Sequence, residues 1–387
     1  MKLNLRSIIQ IIATVTVILS CLIYSMYINE IIDFRLFSIG DLNPYGGWSA
    51  VKSAFTDLSY RWRGFSRSIA STAGITITAL LMGRFFCGFI CPIGAIQDLF
   101  KYLGSKLNLK EIKFSHKPEL FKYVILIVIM VLSIFEMGNI ISPYSPWLAY
   151  LNMFIGGKLQ TGTFILLIIV IVSLFGRRVF CRYFCPLGAF QSLLYAIGPL
   201  KIKKRNCDCQ YCLRNCPVSE QIRLSEKEEN ISPECINCLK CINACIKNKE
   251  GYSLEFGKRK LKSRAYIIVC ICMILFSYIF LPLTTGNSSV QAITSIKNIN
   301  DGVYQGLGIG FGGNMNVEVT INNKKITNIK VITHRETSGY YEEVFRELSY
   351  EITETQNLNI DSISGATSTS RGFLNSIKDA VNKSLVD

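Results

Sequence analysis

Arg84-Phe85-Phe86-Cys87-Gly88-Phe89-Ile90-Cys91-Pro92-Ile93-Gly94-Ala95-Ile96-Gln97 returns as Arg178-Val179-Phe180-Cys181-Arg182-Tyr183-Phe184-Cys185-Pro186-Leu187-Gly188-Ala189-Phe190-Gln191. The offset is 94 residues throughout. A segment that recurs at a fixed offset marks a repeated structural unit, so the two copies are expected to fold alike and to pack about a pseudo-twofold axis. Cys87 and Cys91, like Cys181 and Cys185, stand four apart, which puts each pair on one face of a continuous helix. Brought together, the pairs supply four thiolates. Those suit a further metal or iron–sulfur centre, or a set of redox-active dithiols, and spacing leaves the two open. Packing by small apolar residues is a poorer account of cysteine at both positions of both copies.

Outward from the repeat the chain is apolar. A membrane-crossing helix needs about 20 mostly apolar residues, and five stretches meet or approach that length: Ser7–Ile28, Ile69–Ile90, Leu120–Phe135, Thr163–Phe175 with its flanks, and Ala265–Leu283. The first follows Lys2 and Arg6 as a signal peptide would, but its long run without a small-residue cleavage site predicts an uncleaved anchor. Lys158 is the one basic residue between Gly138 and Gly162, whereas Lys101, Lys106, Lys110, Lys113 and Lys117 follow span two and a dense basic set runs from Arg177 to Arg264. Basic loops stay inside. The N-terminus and the Arg177–Arg264 loop are therefore expected in the cytoplasm, and everything after span five outside. Arg35, Lys52, Arg61, Arg63 and Arg67, between spans one and two, run against this rule.

Half of the 387 residues are hydrophobic and 18% are charged, too apolar for a disordered chain or an ordinary soluble protein. The net charge of +15 is unevenly placed: from Asn287 onward the balance is −2, so the remainder carries +17. The excess lies with the apolar, cysteine-bearing part, which argues for membrane topology and against nucleic acid.

Twelve of the 15 cysteines sort into three groups of four. The repeat holds one. Cys235-Ile236-Asn237-Cys238-Leu239-Lys240-Cys241-Ile242-Asn243-Ala244-Cys245 is a second, with the C-x2-C-x2-C-x3-C spacing that bacterial ferredoxins use for [4Fe–4S] ligation. The third is Cys207, Cys209, Cys212 and Cys216-Pro217, where C-x-C replaces the first C-x2-C. In two-cluster ferredoxins the fourth cysteine of each run ligates the other cluster. Cys216 is thus expected to join Cys235, Cys238 and Cys241, and Cys245 to join Cys207, Cys209 and Cys212. Cys21, Cys270 and Cys272 fall inside spans one and five and are expected to pack as small hydrophobes. Haem is not expected, because no C-x2-C-H occurs and His116 and His334 fall on opposite sides of this topology.

After span five, residues 284–299 read as a linker. Met315, Val317, Val319 and Ile321 then alternate with polar residues as a strand does. Asn322-Asn323 turns into a second strand at Lys325–Ile332, and Gly372–Leu385 reads as an amphipathic helix. Gly308-Ile309-Gly310-Phe311-Gly312-Gly313 formally matches G-x-G-x-x-G, but it leads into a strand, and a dinucleotide loop must open a helix. Asp361-Ser362-Ile363-Ser364-Gly365-Ala366-Thr367-Ser368-Thr369-Ser370 puts small, hydroxyl-bearing residues before a helix, a setting that suits a phosphate.

Two resemblances sharpen this. Asp361-x-x-Ser364-Gly365-Ala366-Thr367 resembles the D-x-x-S/T-G-A-T signature of the FMN-binding domains of the Rnf and Na⁺-pumping NADH:quinone reductase complexes. Asp301-Gly302-x-Tyr304 and His334-x-Glu336-Thr337-x-Gly339-Tyr340 also resemble that domain. The resemblance implies FMN joined through its phosphate to the Thr367 hydroxyl by an extracytoplasmic flavin transferase, with Asp361, Ser364, Gly365, Ala366, Ser368, Thr369, His334, Glu336 and Thr337 around it. Over Arg84–Cys245 the chain is similar to the NapH/NosR-type membrane polyferredoxins, including PceC-like proteins, although NosR and PceC place their flavin domain before the membrane part.

The expected architecture is a membrane α-helical bundle of about five transmembrane helices (residues 1–200 and 265–283). It carries a cytoplasmic ferredoxin-like 2[4Fe–4S] insertion (201–264) and, after the linker, a C-terminal extracytoplasmic α+β FMN-binding domain (300–387). The expected function is an oxidoreductase component of the cell membrane. It moves electrons from a reduced cytoplasmic donor, ferredoxin or flavodoxin, to an external acceptor or partner reductase. Quinol oxidation and a NosR-like redox sensor or maturation factor are the alternatives. The basic loop suits an acidic donor and anionic lipid equally well.

Overall fold

A computed structural model of the chain describes residues 5–28, 31–32, 43–44, 67–112, 120–134, 142–155, 161–204, 216–218, 231–244, 252–257, 259–283, 299–336, 340–358, 360, 362–363 and 366–385. The chain divides into two compact units. One gathers Met1–Leu19, Ala70–Phe135 and Gln160–Leu281, the other Ser20–Ile69, Glu136–Leu159 and Pro282–Asp387.

The helices up to Leu283 are α1 (Leu5–Ile28), α2 (Arg67–Met82), α3 (Pro92–Lys106), α4 (Phe121–Ile134), α5 (Pro146–Ile155), α6 (Thr161–Phe175), α7 (Val179–Tyr183), α8 (Pro186–Ile197), α9 (Lys240–Ala244) and α10 (Ser263–Leu283); the first unit takes most of them, and α5 and the last turns of α1 belong to the second. Among the described residues two helices are long and apolar enough to cross a membrane, Leu5–Tyr27 and Ser263–Phe280. The expected span at Ile69–Ile90 is not continuous. α2 ends at Met82, Gly83 takes a φ of +75°, and Phe86–Ile90 form a π-helical turn. α4 and α6, at the third and fourth expected spans, have 14 and 15 residues. At 1.5 Å per residue each covers only about 21–23 Å.

The two copies of the repeat fold alike. Each is an apolar helix (α2, α6), a short helical turn (Phe86–Ile90, α7) and a second helix (α3, α8) opened by the Cys-Pro dipeptide. Their packing is reciprocal. A Cβ on Gly104 of α3 would strike the Leu174 carbonyl of α6, and one on Gly198, which caps α8, would strike the Leu80 carbonyl of α2. Gly104 and Gly198, like Leu80 and Leu174, are repeat equivalents, so each copy lays a glycine on the other's backbone. At these two contacts the exchange agrees with the expected pseudo-twofold packing.

After α8 the chain enters an antiparallel sheet of β1 (Leu200–Lys204), β2 (Tyr252–Phe256) and β3 (Arg259–Lys260), in which Leu200 faces Phe256 and Lys204 faces Tyr252. β1 and β2 therefore close the ends of the segment holding both ferredoxin-type cysteine runs. Leu200, Ile202, Cys235, Ile236, Cys238, Leu239, Tyr252 and Leu254 share one apolar core with Phe85, Cys87, Phe89 and Tyr195 of the repeat and Tyr266 of α10. Cys21 and Cys270 are buried as expected. Cys272 is exposed, because it falls on the opposite face of α10 from Cys270.

In the second unit, β4 (Gly302–Gly310), β5 (Gly313–Asn322) and β6 (Lys325–Thr333) form an antiparallel sheet in that order. α11 (Tyr341–Thr355) and α12 (Thr367–Ser384) complete the fold. Met315, Val317, Val319 and Ile321 all point into the core, with Val344, Leu348, Phe373 and Ile377. β4 escapes period-2 reading because glycines, not apolar side chains, face the helix. A Cβ on Gly306 would meet the Ser376 carbonyl and one on Gly308 the Gly372 carbonyl, so α12 lies directly on the strand backbone. The glycine-rich run is thus the end of β4 and the hairpin turn into β5, as its rejection as a dinucleotide loop requires. α12 starts at Thr367, five residues before the expected Gly372.

Candidate functional site

The repeat cysteines do not share a helix face. Cys87 lies in the π-helical turn, and Cys91 caps α3 with extended backbone (φ −60°, ψ 115°). Cys181 lies in α7, and Cys185 caps α8 with φ −76°, ψ 110°. The following proline is the cause, since its ring drives the preceding residue out of the helical region. The break aims the two thiols of a pair from separate elements. The four cysteines still lie within electrostatic range of one another, Cys91 with Cys181, Cys87 and Cys185.

The contacts around them cross the pseudo-axis in pairs. Gln97 Nε2 donates to Cys181 Sγ at 3.1 Å, and Cys87 Sγ donates to Gln191 Oε1 at 3.2 Å. A Cβ on Gly94 would touch the Arg178 guanidinium, and one on Gly188 would touch that of Arg84. Glycine at these positions lets each arginine reach the other copy. Both arginines are buried, and the centre of the unit is therefore rich in cations.

Carboxylates answer them. Asp98 accepts from Arg178 Nε at 2.9 Å and Nη2 at 2.6 Å, from Arg6 Nη2 at 2.5 Å and from Gln10 Nε2 at 3.2 Å. Burial pushes the Asp98 carboxyl up, but Arg178 and Arg6 outweigh it and hold it below the usual carboxylate range. The repeat equivalent of Asp98 is Ser192, which cannot neutralise Arg84. Glu234, just before the second cysteine run, takes that place. It accepts from Arg84 Nη1 at 2.9 Å and Tyr123 Oη at 2.5 Å and pairs with Lys122. Arg84 and Lys122 lower its pKa against the opposing effect of burial. Sequence reading missed these groups. Arginine at the same position of both copies was the available signal; Glu234 carried none.

The second cysteine set adjoins the first. Cys235 interacts electrostatically with Cys238 and Cys216, and Cys216 and Cys241 pack against the same core. Asn237 and Leu239 take left-handed backbone (φ 50° and 58°), which curls the loop. A Cβ on Gly88 would strike the Ile236 carbonyl, so the loop rests directly on the first repeat. Arg177 Nη1 donates to the Cys216 carbonyl at 3.1 Å, tying it to the second. Cys207, Cys209, Cys212 and Cys245 lie outside the described residues. Among the described residues no three His, Cys, Asp or Glu side chains converge tightly enough for a single metal ion.

In the second unit, Thr367 is the first residue of α12 and Ala366 its cap. Thr369 Oγ1 donates to Glu336 Oε2 at 2.5 Å, and the Gly312 amide donates to Glu336 Oε1 at 2.9 Å. Ser370 Oγ accepts from the Ile363 amide and donates to the Ala366 carbonyl, both at 3.0 Å. Thr369 and Ser370 are thus engaged in holding the start of the helix. The Glu336 amide donates to His334 Nδ1 at 3.3 Å, and the His334 ring lies 4.3 Å from that of Tyr341. Thr337, Asp361, Ser364 and Gly365, and the side chains of Thr367 and Ser368, lie outside the described set.

A 4Fe-4S binding domain family matches residues 64–110 and 159–205, the two copies of the repeat, and an FMN-binding domain family matches residues 310–382. The uncharacterized protein MJ0750 of Methanocaldococcus jannaschii is 34% identical over 204 residues, which cover 49% of this chain and 81% of that protein. The chain belongs to the 4Fe-4S polyferredoxin family. Two further relatives of this polyferredoxin have descriptive names. The ferredoxin-type protein NapH of Haemophilus influenzae is 28% identical over 46% of this chain and 65% of its own length. The regulatory protein NosR of Pseudomonas aeruginosa is 30% identical over 53% of this chain and 30% of its own length. The polyferredoxin thus combines 4Fe-4S binding domains with an FMN-binding domain in one electron-transport protein.

Proposed function

We propose that the polyferredoxin moves electrons across a membrane, from a reduced cytoplasmic donor to an external acceptor or partner reductase. Iron–sulfur clusters supply one-electron chemistry, and FMN supplies both one- and two-electron chemistry. The observation that carries the reading is that cysteines of both sets, Cys87 with Cys235 and Cys238, share one buried core in a chain that also bears an FMN-binding domain. In this reading Cys235, Cys238, Cys241 and Cys216 hold one [4Fe–4S] cluster, and Cys207, Cys209, Cys212 and Cys245 a second. Cys87, Cys91, Cys181 and Cys185 hold a further centre. The fit of the last set rests on its surroundings, since buried N–H groups and two buried arginines suit an anionic tetrathiolate and not four neutral thiols.

FMN is held through its phosphate on the Thr367 hydroxyl, placed there by an extracytoplasmic flavin transferase. The position of Thr367 at the first turn of an 18-residue helix supports this, because helix N-termini favour phosphate. Co-expression with a flavin transferase is expected to give in-gel flavin fluorescence that survives denaturation. Thr367→Ala abolishes it and Thr369→Ala retains it; fluorescence persisting in Thr367→Ala overturns the assignment.

Ferredoxin or flavodoxin is the donor class that the basic cytoplasmic loop suits. The regulatory designation of NosR favours a second reading, a redox sensor or maturation factor for a partner enzyme. Electron transfer across a sealed membrane separates the two.

A further inference from the structure

The crossed contacts at the sulfur site match in position but not in sense. On one side the amide nitrogen of Gln97 donates to Cys181 Sγ. On the other the Cys87 thiol donates to the amide oxygen of Gln191, which leaves Gln191 Nε2 buried with no acceptor among the described residues. Arg84 Nε is buried and lacks an acceptor in the same way. A buried N–H left unmet is costly, and two of them beside one cluster of sulfurs point to thiolates, which accept more strongly than neutral thiols do. A thiolate is an acceptor only. With Cys87 deprotonated, the Gln191 amide turned end for end presents Nε2 to sulfur and repeats the Gln97–Cys181 contact. Both glutamines are fully buried and stand at the same position of the two copies.

We propose that Gln97 and Gln191 are paired N–H···S donors to the iron–sulfur centre of Cys87, Cys91, Cys181 and Cys185, flanked by Arg84 and Arg178. Together they hold its reduction potential up. The inference rests on the reading of those cysteines as ligands. Reduction adds one electron, taken from the reduced donor protein, and one negative charge to the centre. Hydrogen bonds to its sulfurs and nearby positive charge stabilise the reduced form more than the oxidised one. Arg84 interacts electrostatically with Cys87, Cys185 and Cys181, and Arg178 with Cys181. Cation and amide thus approach the sulfurs from both copies.

The test uses the full-length protein, purified anaerobically in detergent with its iron loaded. Redox titration is followed by electron paramagnetic resonance, with iron and acid-labile sulfide measured alongside. The signal of the centre is identified by its loss in Cys87→Ala and Cys185→Ala. Gln97→Leu and Gln191→Leu are each expected to shift its midpoint to more negative potential, and the double variant further. Gln97→Glu and Gln191→Glu keep the volume but replace the donor by an acceptor, and are expected to shift it further still. An unchanged midpoint in the Glu variants, with iron and sulfide intact, overturns the donor role. Where a Leu variant fails to assemble the centre, the near-isosteric Glu variant carries the same readout; if it too loads no iron, the residues are structural and the donor role falls. Unaltered signals and iron content in Cys87→Ala and Cys185→Ala overturn instead the ligand reading beneath it.

Discussion

Asp98 and Glu234 each gather two basic side chains in the interior of the first unit, Arg178 with Arg6 and Arg84 with Lys122. Removing one partner of a buried pair strands the other, at about 3–5 kcal/mol. Asp98→Asn is therefore expected to lower unfolding stability by about that amount, read from denaturant unfolding in detergent. The same pair sets a pH dependence. The folded Asp98 carboxyl is held below its ordinary value of about 4, so the stability it contributes is complete above that pH and is lost as pH falls through the lower, folded value. A stability difference between wild type and Asp98→Asn that is full above about pH 4 and shrinks as pH falls from there toward the lower, folded value checks the sign. At this scale sequence reading supplied Arg84, Arg178, Gln97 and Gln191 as matched positions. It did not supply their burial, because an arginine in a basic loop and one paired inside a core look the same in a sequence.

Single helices and turns show why the repeat could be recognised but not drawn. Cys-x3-Cys suggested one helix face, and proline at the next position decided otherwise by breaking the helix at Cys91 and Cys185. Gly83 likewise ends α2, where hydropathy alone ran the span on to Ile90. The glycines matter more than their side-chain count suggests. Gly104→Ala and Gly198→Ala each push a methyl against the opposite copy's backbone carbonyl. Overpacking of this kind costs about 1–3 kcal/mol. Both variants are expected to lower stability by similar amounts and the pair to be roughly additive, because the two contacts lie on separate helix pairs. Differential scanning calorimetry on the detergent-solubilised protein measures it. In the second unit β4 was missed for a related reason, since Gly306 and Gly308 face α12 where alternating apolar residues would have signalled a strand.

The whole chain joins a cation-rich cysteine unit to an FMN-binding domain with a slight acidic excess. With the protein inserted in sealed vesicles, a dithionite-reduced ferredoxin or flavodoxin on the cytoplasmic face is expected to bleach the flavin on the other. No bleaching after confirmed cluster and flavin loading abandons the conduit and leaves the sensor. Raising the salt is expected to slow the reaction if the basic loop recruits the donor, because exposed charges are screened over about 8–10 Å at physiological ionic strength. By itself the sequence determined the inventory: three groups of four cysteines, a repeat at offset 94, apolar stretches and an alternating strand ahead of an S-G-A-T motif. These are local patterns, and local patterns encode which face an element buries. Only the tertiary structure decided which groups meet. Glu234 neutralises Arg84, 150 residues away, and Lys122, 112 away, because the repeat offers Ser192 where a carboxylate is needed. Nothing in the spacing of either partner records that pairing; the need to compensate a buried charge does.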